Sequence, residues 1–231
     1  MVIVALDFEN TDKTLAFLRQ FKKPMYVKVG MELFYGSGIE IIKEIKALNH
    51  KIFLDLKCHD IPNTVKKAMY NLAKLDVDIV NLHASGGIKM MTSAMEGLIE
   101  GSNGKKRPLL IAVTQLTSTS KQMMNDELKI DGEVIDSVVN LALNAKKAGL
   151  DGVVCSPLEV LKVKEACGDD FITVTPGIRL ESDSKDDQVR ITTPKKAREL
   201  GCDYIVVGRP ITKALDPVLA YENISKDFLG E

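Results

Sequence analysis

The chain has 231 residues, a length that permits one large α/β barrel core, and we predict a single domain over residues 1–231. Its 45% hydrophobic content is typical of a globular protein. With 31 basic against 32 acidic residues, the net charge is -1, so no basic excess indicates a nucleic-acid partner.

The distribution of apolar residues and cysteines predicts the cellular compartment. No run approaches the roughly 18 to 20 apolar residues that a membrane span needs, and the chain opens directly into Val2 to Leu6 without a basic leader. Single, scattered cysteines indicate reduced and mostly buried thiols rather than disulfides or a zinc site: Cys58, Cys155, Cys167 and Cys202. We therefore expect an unprocessed cytoplasmic protein without a membrane partner.

Short runs rich in β-branched residues recur about every 25 to 30 residues, the period of βα units. Because these runs are nearly continuous in valine, isoleucine and leucine, they predict parallel strands that are buried on both faces. The eight predicted strands are Val2 to Leu6, Met25 to Val29, Lys51 to Leu56, Asp78 to His83, Leu109 to Thr114, Gly152 to Cys155, Phe171 to Thr175, and Tyr204 to Val207.

The segments between these strands place apolar residues on one face at helical spacing. Two examples are Val65, Ala68, Met69, Leu72 and Ala73, and Val134, Val138, Leu141, Ala142 and Ala145. A strict alternation of strand and helix over eight units predicts an α/β fold of the (β/α)₈ TIM-barrel type, with a doubly wound open sheet as the alternative.

Charged residues at the end of the third strand form the main candidate site. Strand alternation places Asp55 and Lys57 on one face at the carboxyl end, where barrel enzymes keep their active sites, and Asp60 follows in the loop. Asp60 alone is equally compatible with a carboxylate before a helix that starts at Pro62. The three charges together indicate function, because charges at the end of a buried strand are costly unless they are paired.

Two further charged residues end or interrupt neighbouring strands. Lys28 breaks the apolar second strand and shares a face with Tyr26, although a lysine whose amine reaches solvent fits the same pattern. Asp7 closes the first strand and on its own fits a turn.

The last two strands lead into a candidate phosphate site, since such barrels bind phosphate after strands seven and eight. Gly208 lets backbone N–H groups approach an anion, and Arg209 offers a bidentate cation. The run Thr175 to Arg179 introduces an acidic loop at 180–192 that we interpret as a lid. His50 precedes a strand and is expected at the surface, and three dispersed histidines do not indicate a metal site.

The segment Asp55-Leu56-Lys57-Cys58-His59-Asp60-Ile61-Pro62-Asn63-Thr64 closely resembles the signature of the orotidine 5′-phosphate decarboxylase family, Asp-x-Lys-x-x-Asp-Ile-Pro-x-Thr. The similarity extends in the expected order over essentially the whole chain, including Ala5-Leu6-Asp7, Lys28-Val29-Gly30, Thr175-Pro176-Gly177-Ile178-Arg179 and Val207-Gly208-Arg209-Pro210. The resemblance implies conversion of orotidine 5′-phosphate into uridine 5′-phosphate (UMP) and CO₂, the last step of UMP biosynthesis.

The resemblance also implies four catalytic residues and no metal or cofactor. Lys57 would be the proton donor, Asp55 would lie beside the leaving carboxylate, and Lys28 would orient the array and bind ribose. Asp60 would come from the partner subunit of a homodimer.

The same resemblance implies the residues that bind substrate. Asp7 and the partner's Thr64 would contact the ribose, with Ile61 beside them in the signature, and Thr117 would read the pyrimidine edge. The phosphate would be held by Arg179, Gln188, Gly208 and Arg209.

Three other functions remain as alternatives. Hexulose-phosphate synthase and ketogulonate-phosphate decarboxylase use a similar Asp-x-Lys-x-x-Asp motif with Mg²⁺, but they typically carry a glutamate where this chain has Lys28 and lack Ile61-Pro62-Asn63-Thr64. A non-catalytic nucleotide-binding barrel is the second. A Schiff-base aldolase is the third, although the carboxylates around Lys57 favour the charged amine over the neutral amine that it needs.

Overall fold

A computed structural model describes residues 1–179 and 192–231, and in these ranges strands alternate with helices from the first residues onward. All eight predicted strands are present within the described residues. They are β1 (Val2–Ala5), β2 (Tyr26–Gly30), β3 (Lys51–Cys58), β4 (Ile79–His83), β5 (Leu109–Val113), β6 (Gly152–Val154), β7 (Ile172–Thr175) and β8 (Tyr204–Val207).

Helices follow each strand and cover the outside of the sheet. In the described ranges they are α1 (Thr11–Leu18), α2 (Met31–Ser37), α3 (Glu40–Ala47), α4 (Pro62–Leu72), α5 (Gly87–Ser102), α6 (Lys121–Asp126), α7 (Val134–Lys147), α8 (Val160–Cys167), α9 (Pro194–Glu199), α10 (Arg209–Thr212) and α11 (Pro217–Leu229). Several begin as the sequence pattern indicates, with proline in the first turn of α4 and a side-chain cap from Asp216 on α11.

The strands form a closed parallel barrel. Each strand pairs with the next in sequence, and β1 pairs with β8 through Val2 opposite Ile205 and Val4 opposite Val207. The predicted (β/α)₈ fold is therefore confirmed, and the open-sheet alternative is wrong because the first and last strands hydrogen-bond to each other.

Alternate residues of each strand point to opposite sides of the barrel wall, and both sides are apolar. A small inner cluster fills the barrel, while a larger outer cluster packs the strands against the helices. The inner cluster comprises Ile3, Ala5, Phe53, Ile79, Ile111, Val174 and Val206. Lys28 lies two residues after Tyr26, and Asp55 lies two residues after Phe53, on the same inward face of the barrel. Both charges are therefore at the carboxyl-terminal mouth.

Helices α4 and α5 pack unusually closely. A Cβ added at Gly97 would lie 2.1 Å from the carbonyl oxygen of Lys66, and one at Gly101 would lie 2.2 Å from that of Tyr70. Glycine at both positions is therefore a steric requirement of the helix pair. These contacts lie in the middle and near the carboxyl-terminal end of α4.

The prediction that His50 lies at the surface is wrong. Its side chain is buried, and Nδ1 accepts a hydrogen bond of 3.3 Å from the backbone N–H of Met25. Burial lowers the pKa of His50, consistent with the neutral ring that this acceptor role requires. The imidazole thus satisfies a backbone donor just before β2.

The cysteines agree with the prediction. All four are free thiols; three are buried and Cys58 is partly buried. In the part of the chain that the structure describes, no helix is long and apolar enough to cross a membrane.

Candidate active site

A cavity of about 520 Å³ opens at the carboxyl-terminal mouth of the barrel. Its walls come from the ends of most strands and from the loops that follow them, which is where barrel enzymes assemble their sites. Eight of the predicted site residues line it: Asp7, Lys28, Asp55, Lys57, Thr117, Arg179, Gly208 and Arg209.

Three side chains form a continuous charged array on one wall of this cavity. Lys57 Nζ lies 2.7 Å from Asp55 Oδ1, and Lys28 Nζ lies 3.6 Å from Asp55 Oδ2. Lys28 Nζ is also 3.2 Å from Asp7 Oδ1, which extends the array to the first strand. The side chains of Lys28 and Asp55 are only 13% and 11% exposed, so both charges are largely surrounded by protein and attract each other more strongly than in water.

The charge state of Asp55 follows from this arrangement. Burial by itself would raise the pKa of its carboxyl group, but the positive charges of Lys28 and Lys57 and hydrogen bonds from Lys57 and Asn81 outweigh that effect. The pKa of Asp55 is therefore lower than its ordinary value, and the carboxylate is charged at neutral pH. The array thus presents two ammonium groups around one ionised carboxylate.

The backbone at Lys57 departs from a regular strand. Its φ angle is 52°, in the left-handed region that costs a non-glycine residue about 1–2 kcal/mol, and the register of β3 against β4 shifts between Leu54 and Cys58. The displaced backbone is bound by Asn81 of β4, whose Oδ1 accepts a 2.8 Å hydrogen bond from the Lys57 N–H. β3 consequently continues two residues past the predicted end at Leu56.

Gly30 leaves the space that the Lys28 ammonium needs. A Cβ at this position would lie 3.2 Å from Lys28 Nζ, closer than most Cβ contacts in proteins. A Cβ here would require the Lys28 amine to shift by a few tenths of an ångström between Asp7 and Asp55. Glycine at the end of β2 therefore fits the close approach of this amine.

The opposite wall of the cavity carries positive charge suited to an anion. Arg179 follows β7, and Arg209 opens α10 directly after Gly208. A Cβ at Gly208 would meet Ala5 Cβ and Asp7 Oδ2 at 3.6 Å, an ordinary van der Waals distance, so this backbone lies close to the first strand at the cavity. Lys213, which we did not predict, also lines the cavity one helical turn after Arg209, and that four-residue spacing is the signal that was available.

Three predicted residues lie outside the cavity of this single chain. Asp60, Ile61 and Thr64 are exposed and do not contribute to its lining. The Asp60 side chain instead accepts a 2.6 Å hydrogen bond from the Ile61 N–H, just before α4. Gln188 and the predicted lid at 180–192 fall outside the described residues, except for Thr192, which forms a β-bridge with Ile178.

The site holds no evident metal-binding cluster in the described ranges. Among residues 1–179 and 192–231, no group of three or more histidine, cysteine, aspartate or glutamate side chains could hold a metal ion. The expectation of a metal-free site stays a prediction. What the geometry does define is a TIM barrel with a lysine–carboxylate array facing a cationic pocket.

The chain matches the model of the orotidine 5′-phosphate decarboxylase / HUMPS family over residues 1–224 and belongs to that family. It is 58% identical over 231 residues to the orotidine 5′-phosphate decarboxylase of Bacillus cereus, covering 99% of this chain and 97% of the relative. The predicted family membership is confirmed.

Two solved structures are similar over nearly their whole length. A crystal structure of orotidine 5′-phosphate decarboxylase from Lactobacillus acidophilus shares 49% identity at a TM-score of 0.88, covering 98% of both chains. An uncharacterized conserved protein from Geobacillus kaustophilus shares 47% identity at a TM-score of 0.90, covering 99% of this chain and all of the other.

Proposed function

We propose that this protein decarboxylates orotidine 5′-phosphate to UMP and CO₂, as the last step of UMP biosynthesis, with residues 1–231 acting as one barrel domain. The observation that carries the proposal is the array of Lys28, Asp55 and Lys57 on one wall of the cavity. The Arg179 and Arg209 wall of the same cavity suits the phosphate of the substrate. The 58% identity to a decarboxylase of that name supports the assignment.

The array can stabilise the negative charge that develops at C6 of the pyrimidine, which is the main energetic obstacle in this reaction. When the bond between C6 and the carboxylate breaks, the electron pair stays on C6, where no adjacent carbonyl group delocalises it. A fixed ammonium group near C6 stabilises this developing charge without reorganisation, which is the most effective form of electrostatic catalysis. Lys57 then delivers its proton to C6, forms a neutral amine and regains a proton from solvent.

The carboxylates hold the two lysine side chains in place. Asp55 contacts Lys57 through one oxygen and faces Lys28 with the other, so both ammonium groups stay oriented toward the same region. The hydrogen bond from Lys28 Nζ to Asp7 restricts the movement of the ammonium group on its other side. No proposed step requires a metal or an organic cofactor.

Remote contacts provide the binding energy that orders the reacting centre. Arg209, Arg179, the Gly208 backbone and Gln188 are proposed to hold the phosphate, with the loop at 180–192 as a lid. Thr117 is proposed to read the pyrimidine edge, and Asp7 to contact the ribose, and both line the cavity.

A homodimer is proposed to complete the site, with Asp60 and Thr64 entering from the partner and Ile61 beside them. All three are exposed in the single chain, and Ile61 is 67% exposed, which is unusual for a large apolar side chain and is consistent with burial by another subunit. We place the dimer in the cytoplasm, which the free cysteines support.

Subunit mixing tests the proposed contribution of Asp60. Homodimers of Lys57→Ala and of Asp60→Ala should each be almost inactive. After mixing and subunit exchange, about a quarter of wild-type activity should return, because half of the dimers are mixed and each has one intact site. Recovery is measured as turnover of orotidine 5′-phosphate against time after mixing. If Asp60 acts within its own subunit, no intact site forms and no activity returns.

Turnover with and without EDTA tests the overall assignment. Purified protein is mixed with orotidine 5′-phosphate, and the ultraviolet change on conversion to UMP is followed. We expect turnover that EDTA does not change, because the positive charge comes from Lys28 and Lys57 rather than from a metal ion. Loss of turnover in EDTA would place a metal in the mechanism, as in the hexulose-phosphate synthase branch. Absence of any turnover would contradict the proposed function.

A further inference from the structure

Asn81 lies directly behind the charged array, inside the barrel wall. It is the middle residue of β4, in the run Ile79-Val80-Asn81-Leu82-His83, and it is 0% exposed. It does not line the cavity, so a bound substrate does not reach it. A fully buried amide in an apolar strand is costly unless its hydrogen bonds are made, and here they are made to the two central residues of the site.

Its two hydrogen bonds determine the orientation of the amide. Nδ2 donates to Asp55 Oδ1 at 2.7 Å, and Oδ1 accepts from the Lys57 N–H at 2.8 Å. A charged carboxylate only accepts and a backbone N–H only donates, so the reversed amide would face each partner with the wrong group. The Asn81 side chain therefore holds both the Asp55 side chain and the Lys57 backbone of β3.

The contact to Asp55 fixes the rotation of its carboxylate. The terminal torsion of an aspartate is broad, and lysine side chains are flexible, so neither Lys28 nor Lys57 would lock it alone. The buried amide is rigid by comparison and holds Oδ1 beside Lys57. The other oxygen, Oδ2, is thereby directed to Lys28.

The contact to Lys57 stabilises the unusual backbone from which the ammonium group extends. The left-handed φ angle of 52° occurs where the ladder between β3 and β4 is irregular, and the Asn81 oxygen replaces the missing strand acceptor. The position of Nζ depends on this backbone, because the side chain starts from it.

We propose that Asn81 is a positioning residue for decarboxylation, which holds the Asp55 carboxylate and the Lys57 backbone in register with each other. This inference rests on the proposed function, since it concerns the step in which Lys57 acts at C6. Asn81 itself contacts neither the substrate nor the reacting atoms.

Two substitutions test the proposal by separating turnover from binding. Asn81→Leu has nearly the same shape and removes both hydrogen bonds. Asn81→Asp keeps an acceptor for the Lys57 N–H but replaces the donor to Asp55 with a second carboxylate. For both we expect kcat to fall by about 100-fold or more, because a small misplacement of catalytic groups has effects of that size. KM and the affinity for UMP should stay within about threefold of wild type, since the phosphate and base contacts are untouched.

Thr173→Val is the matched structural control. Thr173 is also 0% exposed, and its hydroxyl both donates to Asp203 Oδ2 and accepts from the Asp203 N–H, at 2.9 and 3.2 Å. It lies near the start of β7, at the opposite end of the barrel from the site. The control thus removes two hydrogen bonds of the same kind, to a carboxylate and to a backbone N–H, without touching the array.

The outcomes separate the inference from the proposed function. If kcat in Asn81→Leu falls no further than in Thr173→Val, or if UMP affinity falls in parallel with kcat, the positioning role is overturned. If Asn81→Leu does not fold, Asn81→Asp decides, and wild-type kcat in that variant also overturns it. Failure of the wild-type protein itself to turn over orotidine 5′-phosphate instead refutes the proposed function.

Discussion

Replacing Lys57 with alanine is expected to abolish detectable decarboxylation while leaving the barrel folded. In the proposed mechanism, Lys57 is the group that stabilises the charge at C6 and supplies the proton. Because each of these effects contributes several orders of magnitude, we expect kcat to fall by about 10⁴-fold or more. The measurement is the ultraviolet assay with orotidine 5′-phosphate at high enzyme concentration, with circular dichroism and thermal unfolding to check the fold.

Lys46→Ala is a control for the loss of a lysine paired with a carboxylate. Lys46 Nζ lies 3.4 Å from Asp78 Oδ2, but that pair is at the start of β4, away from the cavity. This variant should keep wild-type kcat. Appreciable turnover by Lys57→Ala would show that another group protonates C6.

Replacing Arg209 with alanine is expected to weaken turnover as well as binding. Loss of a bidentate charged contact to the phosphate should lower kcat/KM by about 100-fold or more. Part of the loss should appear in kcat, because remote binding energy also orders the reacting centre. Steady-state kinetics over a range of substrate concentrations separate the two effects, and unchanged kcat/KM would contradict the proposed phosphate site.

A substrate without the phosphate gives the control for Arg209. Wild type and Arg209→Ala should turn over orotidine at the same low rate, because the contact that distinguishes them is then missing in both. Arg19→Ala, at the exposed end of α1, removes an arginine far from the cavity and should behave as wild type with either substrate. If Arg209→Ala also slows orotidine, Arg209 does more than bind phosphate.

Much of the fold was predictable because the relevant signals are local. Apolar runs at a regular spacing indicated all eight strands, and their helical partners followed from periodicity. The charges at strand ends pointed to Lys28, Asp55 and Lys57, since polar residues in buried strands are costly without a purpose. The signature from Asp55 to Thr64 indicated the family, which the comparisons confirm.

Other features could not be predicted because they depend on neighbours that are distant in sequence. His50 is buried because β2 brings the Met25 N–H to it. Asn81 has no distinguishing pattern in the sequence of β4, and its role depends on contacts with Asp55 and the Lys57 backbone of β3, which precede it by 26 and 24 residues.

Residue identity and spacing along the chain are enough to predict the strand and helix pattern, the types of charged groups and the family. The pairing of β1 with β8, the position of Lys28 and Lys57 on either side of one carboxylate, and the register shift of β3 beside Asn81 are visible only in the folded chain. Barrel closure and ion-pair geometry depend on strand twist and on packing between segments far apart in the chain, which local sequence does not encode.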